Sequence, residues 1–497
     1  MDTHRAALLF VFFLPPFFLA CNATAPGLRQ AKWRRELATY SGSGLLYETR
    51  YFTQTLDHFN FNPQSYAKFQ QRYLVNRTNW GGKGSPIFVY TGNEGGIELF
   101  AKNTGFMFEI APSFNALLVF IEHRYYGKSI PFGGEDAAYS NASTLGYLSV
   151  TQAIADFATL IIDMKKNLTS EDSPVVAFGG SYGGMLAAWF RLKYPHVVLG
   201  ALASSAPLLQ FDDLVSPYTF YNIVTDDFRS ESESCYRTIK SSWKELDDTL
   251  SRPGGPKKLA KAFKTCSDEV SNLPQWIEEA LVYGAMTDYP TVSDFLTPLP
   301  AYPVKQMCKS IDNPTSGNDT FARLYGAMNI YYNYTGKAAC FDIDTDSLDD
   351  TVGTDGWNWQ SCTEMILPTE GRSEESMFPA NKYSDDDNAG FCESYYGVAP
   401  RPHWITTEFG GHDIRRVLKR FGSNIIFFNG LRDPWSGGGV LKSLNPSLIA
   451  MVIPQGAHHV DLRYSTKEDP IWLQNVRRKE INIIAGWINQ YYADSKF

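Results

Sequence analysis

Residues Pro174 to Phe190 read PVVAFGGSYGGMLAAWF. An apolar, β-branched run meets four glycines around one serine, then turns into an apolar segment with helical character. Gly179-Gly180-Ser181-Tyr182-Gly183 has the form G-x-S-x-G between a predicted strand and a predicted helix. A nucleophile elbow requires that context. The turn is so tight that a Cβ two residues to either side of the serine would clash, and glycine removes it. The Ser181 hydroxyl then projects from the sheet edge at a helix N-terminus. There the unpaired Tyr182 N–H can hold a developing oxyanion. A glycine-rich turn that merely packs a helix onto a sheet has the same local sequence, so the partners must decide.

The surrounding rhythm is α/β. PIFVYTG (Pro86–Gly92) and ALLVFIEH (Ala116–His123) are short apolar runs of strand composition. Tyr147–Leu168 repeats apolar residues at three and four, an amphipathic helix. PVVAFGG is a strand, MLAAWFRLKY a helix and GALASSAP a strand, so a parallel sheet covered on both faces is predicted over 50–209. The rhythm breaks over 210–407. That region holds helical stretches such as PQWIEEALVYGAM and polar loops such as SMFPANKYSDDDNAG. It reads as a mainly helical, disulfide-bonded cap. The α/β pattern returns over 408–497, with strands in SNIIFFNG and SLIAMVIPQG and a closing helix from Ile471. No internal repeat or low-complexity linker is visible.

A serine hydroxyl needs a base. In the α/β-hydrolase order the serine is followed by an acid, then a histidine. His196, His403, His412, His458 and His459 follow Ser181. GAHH comes directly after the predicted last strand, and NGLRDPW after the strand before it. The residues therefore point to Ser181, Asp433 and either His458 or His459. Histidine takes the hydroxyl proton and aspartate fixes its tautomer. Asp461 is a competing acid but lies too near the histidines in sequence to orient one easily. A second oxyanion donor is expected in YTGNEGG, from the N–H of Asn93 or Glu94. Glu94 is also a candidate for holding a charged substrate terminus. His58, His123 and His196 read as structural.

The chain has 497 residues, 44% of them hydrophobic, and a formal net charge of −8 without a basic block. That composition is globular and argues against nucleic acid as a partner. Arg5 precedes the apolar run Ala6–Ala20, followed by Ala23-Thr24-Ala25. Residues 1–25 read as a secretory signal peptide, with Pro15-Pro16 opposing a spanning helix. No later run is long enough to cross a membrane. Without Cys21, six cysteines remain, all in the cap: Cys235, Cys266, Cys308, Cys340, Cys362 and Cys392. An even number in an oxidising compartment suggests three disulfides, with 15 connectivities open. No CxxC pair is present, so no metal site is expected. Nor is any cofactor implied. N-x-[ST] sequons at Asn22, Asn76, Asn141, Asn167, Asn318 and Asn333 suggest a glycoprotein. Lysosome, vacuole and cell exterior all fit.

Four motifs in order, GGSYGGMLAAWFRLKYPH, EHRYYGKSIPFG, DPWSGGGV and GAHHVDLR, resemble the Pro-X serine carboxypeptidases, a family that includes dipeptidyl peptidase II. The likeness runs from about Tyr51 to Tyr492. It implies a catalytic Ser181, Asp433 and His458, with His459 and Arg463 in support. A cation at Arg463 would disfavour protonated histidine and suit work at acid pH. It implies the pairs Cys235–Cys308, Cys266–Cys340 and Cys362–Cys392. A further family disulfide is missing, since Ser216 and the segment after Pro368 lack the cysteines. An apolar slot for a proline ring is implied at Met185 and Trp435, with Leu367 where a methionine is expected. The expected substrates are proline-containing peptides, and a homodimer is compatible. Removal of the residue after a penultimate proline is the expected activity. Release of N-terminal Xaa-Pro dipeptides is the alternative. An inactive hydrolase-fold binding protein is the rival from another class. A secreted lipase or esterase would share the elbow, but the cap does not suggest a lipid lid.

Overall fold

The computed structural model describes residues 47–212, 214–313, 319–343, 354–371, 374–410 and 413–495. The signal segment 1–25, Cys21, the sequons at Asn22 and Asn318, and His412 lie outside them.

Eight strands form one sheet: β1 (Glu48–Thr55), β2 (Lys68–Asn76), β3 (Ile87–Thr91), β4 (Leu117–Ile121), β5 (Val175–Gly180), β6 (Gly200–Ser204), β7 (Ile425–Gly430) and β8 (Leu448–Ile453). Their order is β1-β2-β4-β3-β5-β6-β7-β8. From β4 to β8 all pairings are parallel, with Ile87 opposite both Leu117 and Val175, and Ala201 opposite Ile425. Every residue of β3 to β7 is buried, as helices cover both faces. With the serine turn directly after β5, this is the α/β-hydrolase fold.

The expected parallel sheet is extended at one edge. β1 and β2 add an antiparallel edge. Their sequences ETRYFTQT and KFQQRYLVN hide the strand signal, because buried polar groups interrupt the apolar alternation. Gln54 and Gln71 pair through their amides inside the sheet, and the buried Arg72 pairs with Glu122. Such inward polar groups suit a strand near a sheet edge.

Between β6 and β7 the chain makes its long excursion. The helices Thr219–Glu231, Glu233–Leu250, Gly255–Phe263, Leu273–Met286, Pro303–Ile311 and Thr320–Asn333 pack on one another. Disulfides Cys235–Cys308 and Cys266–Cys340 staple this bundle. Its core is continuous with that on one side of the sheet, so the cap is not a separately packed body. The later part of the excursion returns to the opposite side. Cys362–Cys392 joins the helices Thr354–Thr363 and Asp385–Tyr396. Met365, Leu367, Ile405 and Phe409 pack into the core beneath the helix Tyr182–Lys193, and Phe409 stacks on Trp189 with centroids 4.4 Å apart.

The polar stretch read as a loop over 376–390 is half right. Ser384 accepts a hydrogen bond from the Asp387 N–H and caps the helix Asp385–Tyr396. Three aspartates in its first turn meet the positive end of the helix dipole. Upstream, Met377 and Phe378 are buried in the bundle core.

Candidate active site

The site forms where parallel strands end side by side, which is where ligands bind in open α/β sheets. Ser181 follows β5, Asp433 follows β7 and His458 follows β8. Ser181 has φ 58° and ψ −127°, a conformation rare for a residue with a side chain. It persists because the surrounding backbone is interlocked. The Ser181 N–H donates to Ser204 O at 2.9 Å. A Cβ on Gly179 would lie 2.0 Å from Gly183 O, and one on Gly183 would lie 2.2 Å from Asn93 Oδ1. The helix Tyr182–Lys193 starts at once, so the Tyr182 N–H points outward from its first turn without an intrahelical acceptor.

His458 Nδ1 and Asp433 Oδ2 are 2.7 Å apart, both buried. Asp433 Oδ1 accepts from the Trp435 N–H at 3.1 Å, which fixes the carboxylate plane. The His458 N–H donates to Met286 O, so the cap helix Leu273–Met286 holds the histidine loop. His458 and Ser181 line the same cavity. Among the described residues no hydrogen bond joins their side chains, and such contacts are commonly long without substrate.

His459 makes no hydrogen bond to Asp433 among the described residues, although its ring lies 4.4 Å from that of His458. Its ring packs edge-on against Phe295 at 5.0 Å and would crowd any Cβ on Gly180. Its N–H donates to Ser205 Oγ. Burial, then His458 and Arg463, hold its pKa well below the usual histidine value. Arg463 lies over the Tyr289 ring at 4.6 Å. Its charge is one of the causes that lower His459. Asp461 accepts from the Ser204 hydroxyl. Burial raises it to about 7.

A cavity opens beside Ser181. Met185, Leu367 and Trp435 line it. Phe220, Val282, Met286 and Trp357 also line it and were not foreseen. They come from the cap and from the Thr354–Thr363 helix, and no local motif marks them. Trp435 meets Phe220 edge-on at 4.7 Å, so one wall is an aromatic corner.

The Asn93 side chain acts as a clamp. Its Nδ2 donates to Gly180 O at 2.7 Å, and its Oδ1 accepts from Tyr90. Glu94 is 5% exposed and lines the cavity. Burial raises its pKa to about 7, against the pull of its own N–H, His458 and Asn93. A buried network behind Tyr182 was also missed. Gln360 donates to the Tyr182 hydroxyl at 2.9 Å and accepts from Tyr126. His123 Nε2 is 3.0 Å from the same hydroxyl, and burial lowers His123 to about 4. This network fixes the Tyr182 side chain at the start of the helix. The motif EHRYYGKS contained two of its members, but Gln360 is too distant in sequence to suggest.

Among the sequons, Asn141 and Asn167 are exposed, and the amides of Asn141, Asn167 and Asn333 donate to Ser140, Asp163 and Asn329 respectively. Among the described residues no cluster suits a metal ion, and no helix is long and apolar enough to cross a membrane.

A family profile described as Serine carboxypeptidase S28 matches residues 54–480. The chain is 42% identical over 495 residues to a Bos taurus protein named Lysosomal Pro-X carboxypeptidase, covering 98% of this chain and 97% of the relative. The Homo sapiens protein of that name is 42% identical over 502 residues, covering 99% of each. A Caenorhabditis elegans protein named Prolyl carboxy peptidase like protein 5 is 37% identical over 482 residues, covering 93% of this chain and 92% of that one.

Proposed function

The chain belongs to the serine carboxypeptidase S28 family, and on that premise we propose that Ser181, Asp433 and His458 are its catalytic triad. The protein is a serine-type carboxypeptidase that acts at proline, as its Pro-X relatives are named. It travels the secretory pathway to the lysosome, the compartment those names give.

His458 Nε2 takes the Ser181 proton as Oγ attacks the prolyl carbonyl. Asp433 keeps the Nδ1–H in place and stabilises the imidazolium. The Tyr182 N–H, with a second donor from the Asn93–Glu94 backbone, takes the oxyanion. The imidazolium then protonates the departing amine. The C-terminal residue leaves, and water, activated by the same histidine, releases the prolyl acyl group. The proline ring has no N–H to satisfy and a fixed shape, so the apolar corner of Met185, Leu367 and Trp435 suits it.

One observation carries this reading: the 2.7 Å contact between His458 and Asp433 opens on the same cavity as the strained Ser181. The test is covalent. A serine-directed phosphonofluoridate should label Ser181 in the wild type and neither Ser181→Ala nor His458→Ala. Label on another serine, with turnover surviving in Ser181→Ala, would overturn the assignment.

A further inference from the structure

A peptide with a penultimate proline ends one residue beyond the bond that is cut. One residue spans at most about 3.8 Å between α-carbons. The free carboxylate of the leaving residue therefore stays inside the cavity that holds Ser181. Something there must replace its water. No lysine or arginine lines that cavity among the described residues. Glu94 does. It is 5% exposed, and its Oε2 has no hydrogen-bond partner among the described residues. A buried, unpartnered carboxyl oxygen in a cavity wall is costly unless a ligand completes it.

We propose that Glu94, held as a neutral carboxylic acid, donates a hydrogen bond to the substrate's C-terminal carboxylate and so selects free peptide ends. This inference rests on the carboxypeptidase reading. Two carboxyl groups in contact cannot both stay ionised, but they can share one proton in a short, strong bond. The titratable groups facing Glu94 favour the neutral form of the pair. Tyr90, Tyr126 and Tyr182 surround it, each with its phenol pushed up by burial. His458 is the one basic group among them, and it lowers the carboxyl only partly against burial, which leaves it at about 7. A neutral Glu94 also leaves His458 unpaired with a second anion, free to act as a base. Binding then weakens as rising pH removes the Glu94 proton.

The test compares an N-blocked peptide ending in Pro-Phe with its C-terminal amide, at about pH 5 and 7.5. In the wild type, KM for the free acid should rise with pH while KM for the amide changes little. Glu94→Gln keeps a neutral donor, so it should flatten the pH dependence of KM for the acid. Glu94→Ala should cut the preference for acid over amide about 10- to 100-fold at pH 5. Phosphonofluoridate labelling of Ser181 in both variants checks that the triad is intact. A Glu94→Gln enzyme with the wild-type pH dependence, or a Glu94→Ala enzyme with an unchanged acid preference, would overturn the proposal. Failure of the underlying reading looks different: the wild type itself would spare Pro-Phe and cut Xaa-Pro from a free N-terminus.

Discussion

Asp433 gives its two oxygens to different partners, His458 Nδ1 and the Trp435 N–H. An asparagine there could keep the second contact but could offer His458 an N–H in place of an acceptor. The imidazole would then turn its lone pair inward and present Nε2–H to the serine. We expect Asp433→Asn to lower kcat on the order of 10⁴-fold with little change in unfolding midpoint, as tautomer loss does in serine peptidases. Steady-state kinetics with a denaturation curve checks both halves. At this scale the sequence spoke clearly for Ser181 and Asp433, because each follows a strand of strong apolar signal. It could not separate His458 from His459 by residue physics, since that choice depends on Phe295 and Met286 from the cap. It also left Glu94 between oxyanion support and terminus binding, because burial is invisible until the cap is in place.

The elbow works as an element because strand, turn and helix are interlocked. A methyl group on Gly183 would press into Asn93, whose side chain in turn clamps Gly180. We predict that Gly183→Ala loses both activity and more than about 2 kcal/mol of stability, read from denaturant midpoints. The next strand end carries a second interlock. Arg432 donates to Asp288 at 2.6 Å and to Glu231 at 3.1 Å, both from the cap, and it immediately precedes Asp433. Replacing it with methionine strands Asp288, a fully buried carboxyl that burial holds at about 6 despite Arg432. The Arg432→Met variant should lose more stability at pH 7.5 than at pH 5, since only the ionised form needs the guanidinium. Equal losses at the two values would contradict that. These cap contacts were illegible beforehand because they join elements about 144 and 201 residues apart. The antiparallel edge strands were missed for another reason: Gln54, Gln71 and Arg72 occupy interior positions that a period-two reading reserves for apolar residues.

Across the whole molecule, buried carboxyls with raised pKa values recur. Burial raises Asp288 to about 6, Glu94, Glu364 and Asp461 to about 7, and Asp227 to about 9, with Glu480 also well above its usual range. Above about pH 4 the unfolded chain has released these protons, while the folded protein keeps them. Their contribution is therefore fully present below about pH 4 and is lost as pH climbs through the folded values. His123 and His459 act in the opposite sense. Burial lowers both, so their contribution is present above the ordinary histidine value and shrinks as pH falls. The raised carboxyls, Asp226 and Glu278 among them, outnumber these two imidazoles, which predicts a higher unfolding temperature at pH 5 than at pH 7.5, measurable by calorimetry. A maximum near neutrality would contradict it. The overall plan, an α/β sheet interrupted by a disulfide-bonded helical region, was readable from the shift in texture after Leu209. Its division was not. Two disulfides staple the bundle, whereas the third lies in the segment that folds back against the sheet domain.

The central claim is that the triad cuts after proline at a free C-terminus. Purified mature protein and its Ser181→Ala variant should be given two peptides together at about pH 5. One is N-blocked and ends in Pro-Phe, the other begins Lys-Pro and is C-blocked, and mass spectrometry reads the products. We expect loss of phenylalanine from the first peptide alone, abolished in the variant. Release of Lys-Pro with the first peptide intact would contradict the carboxypeptidase assignment, and no cleavage of either would contradict the enzyme.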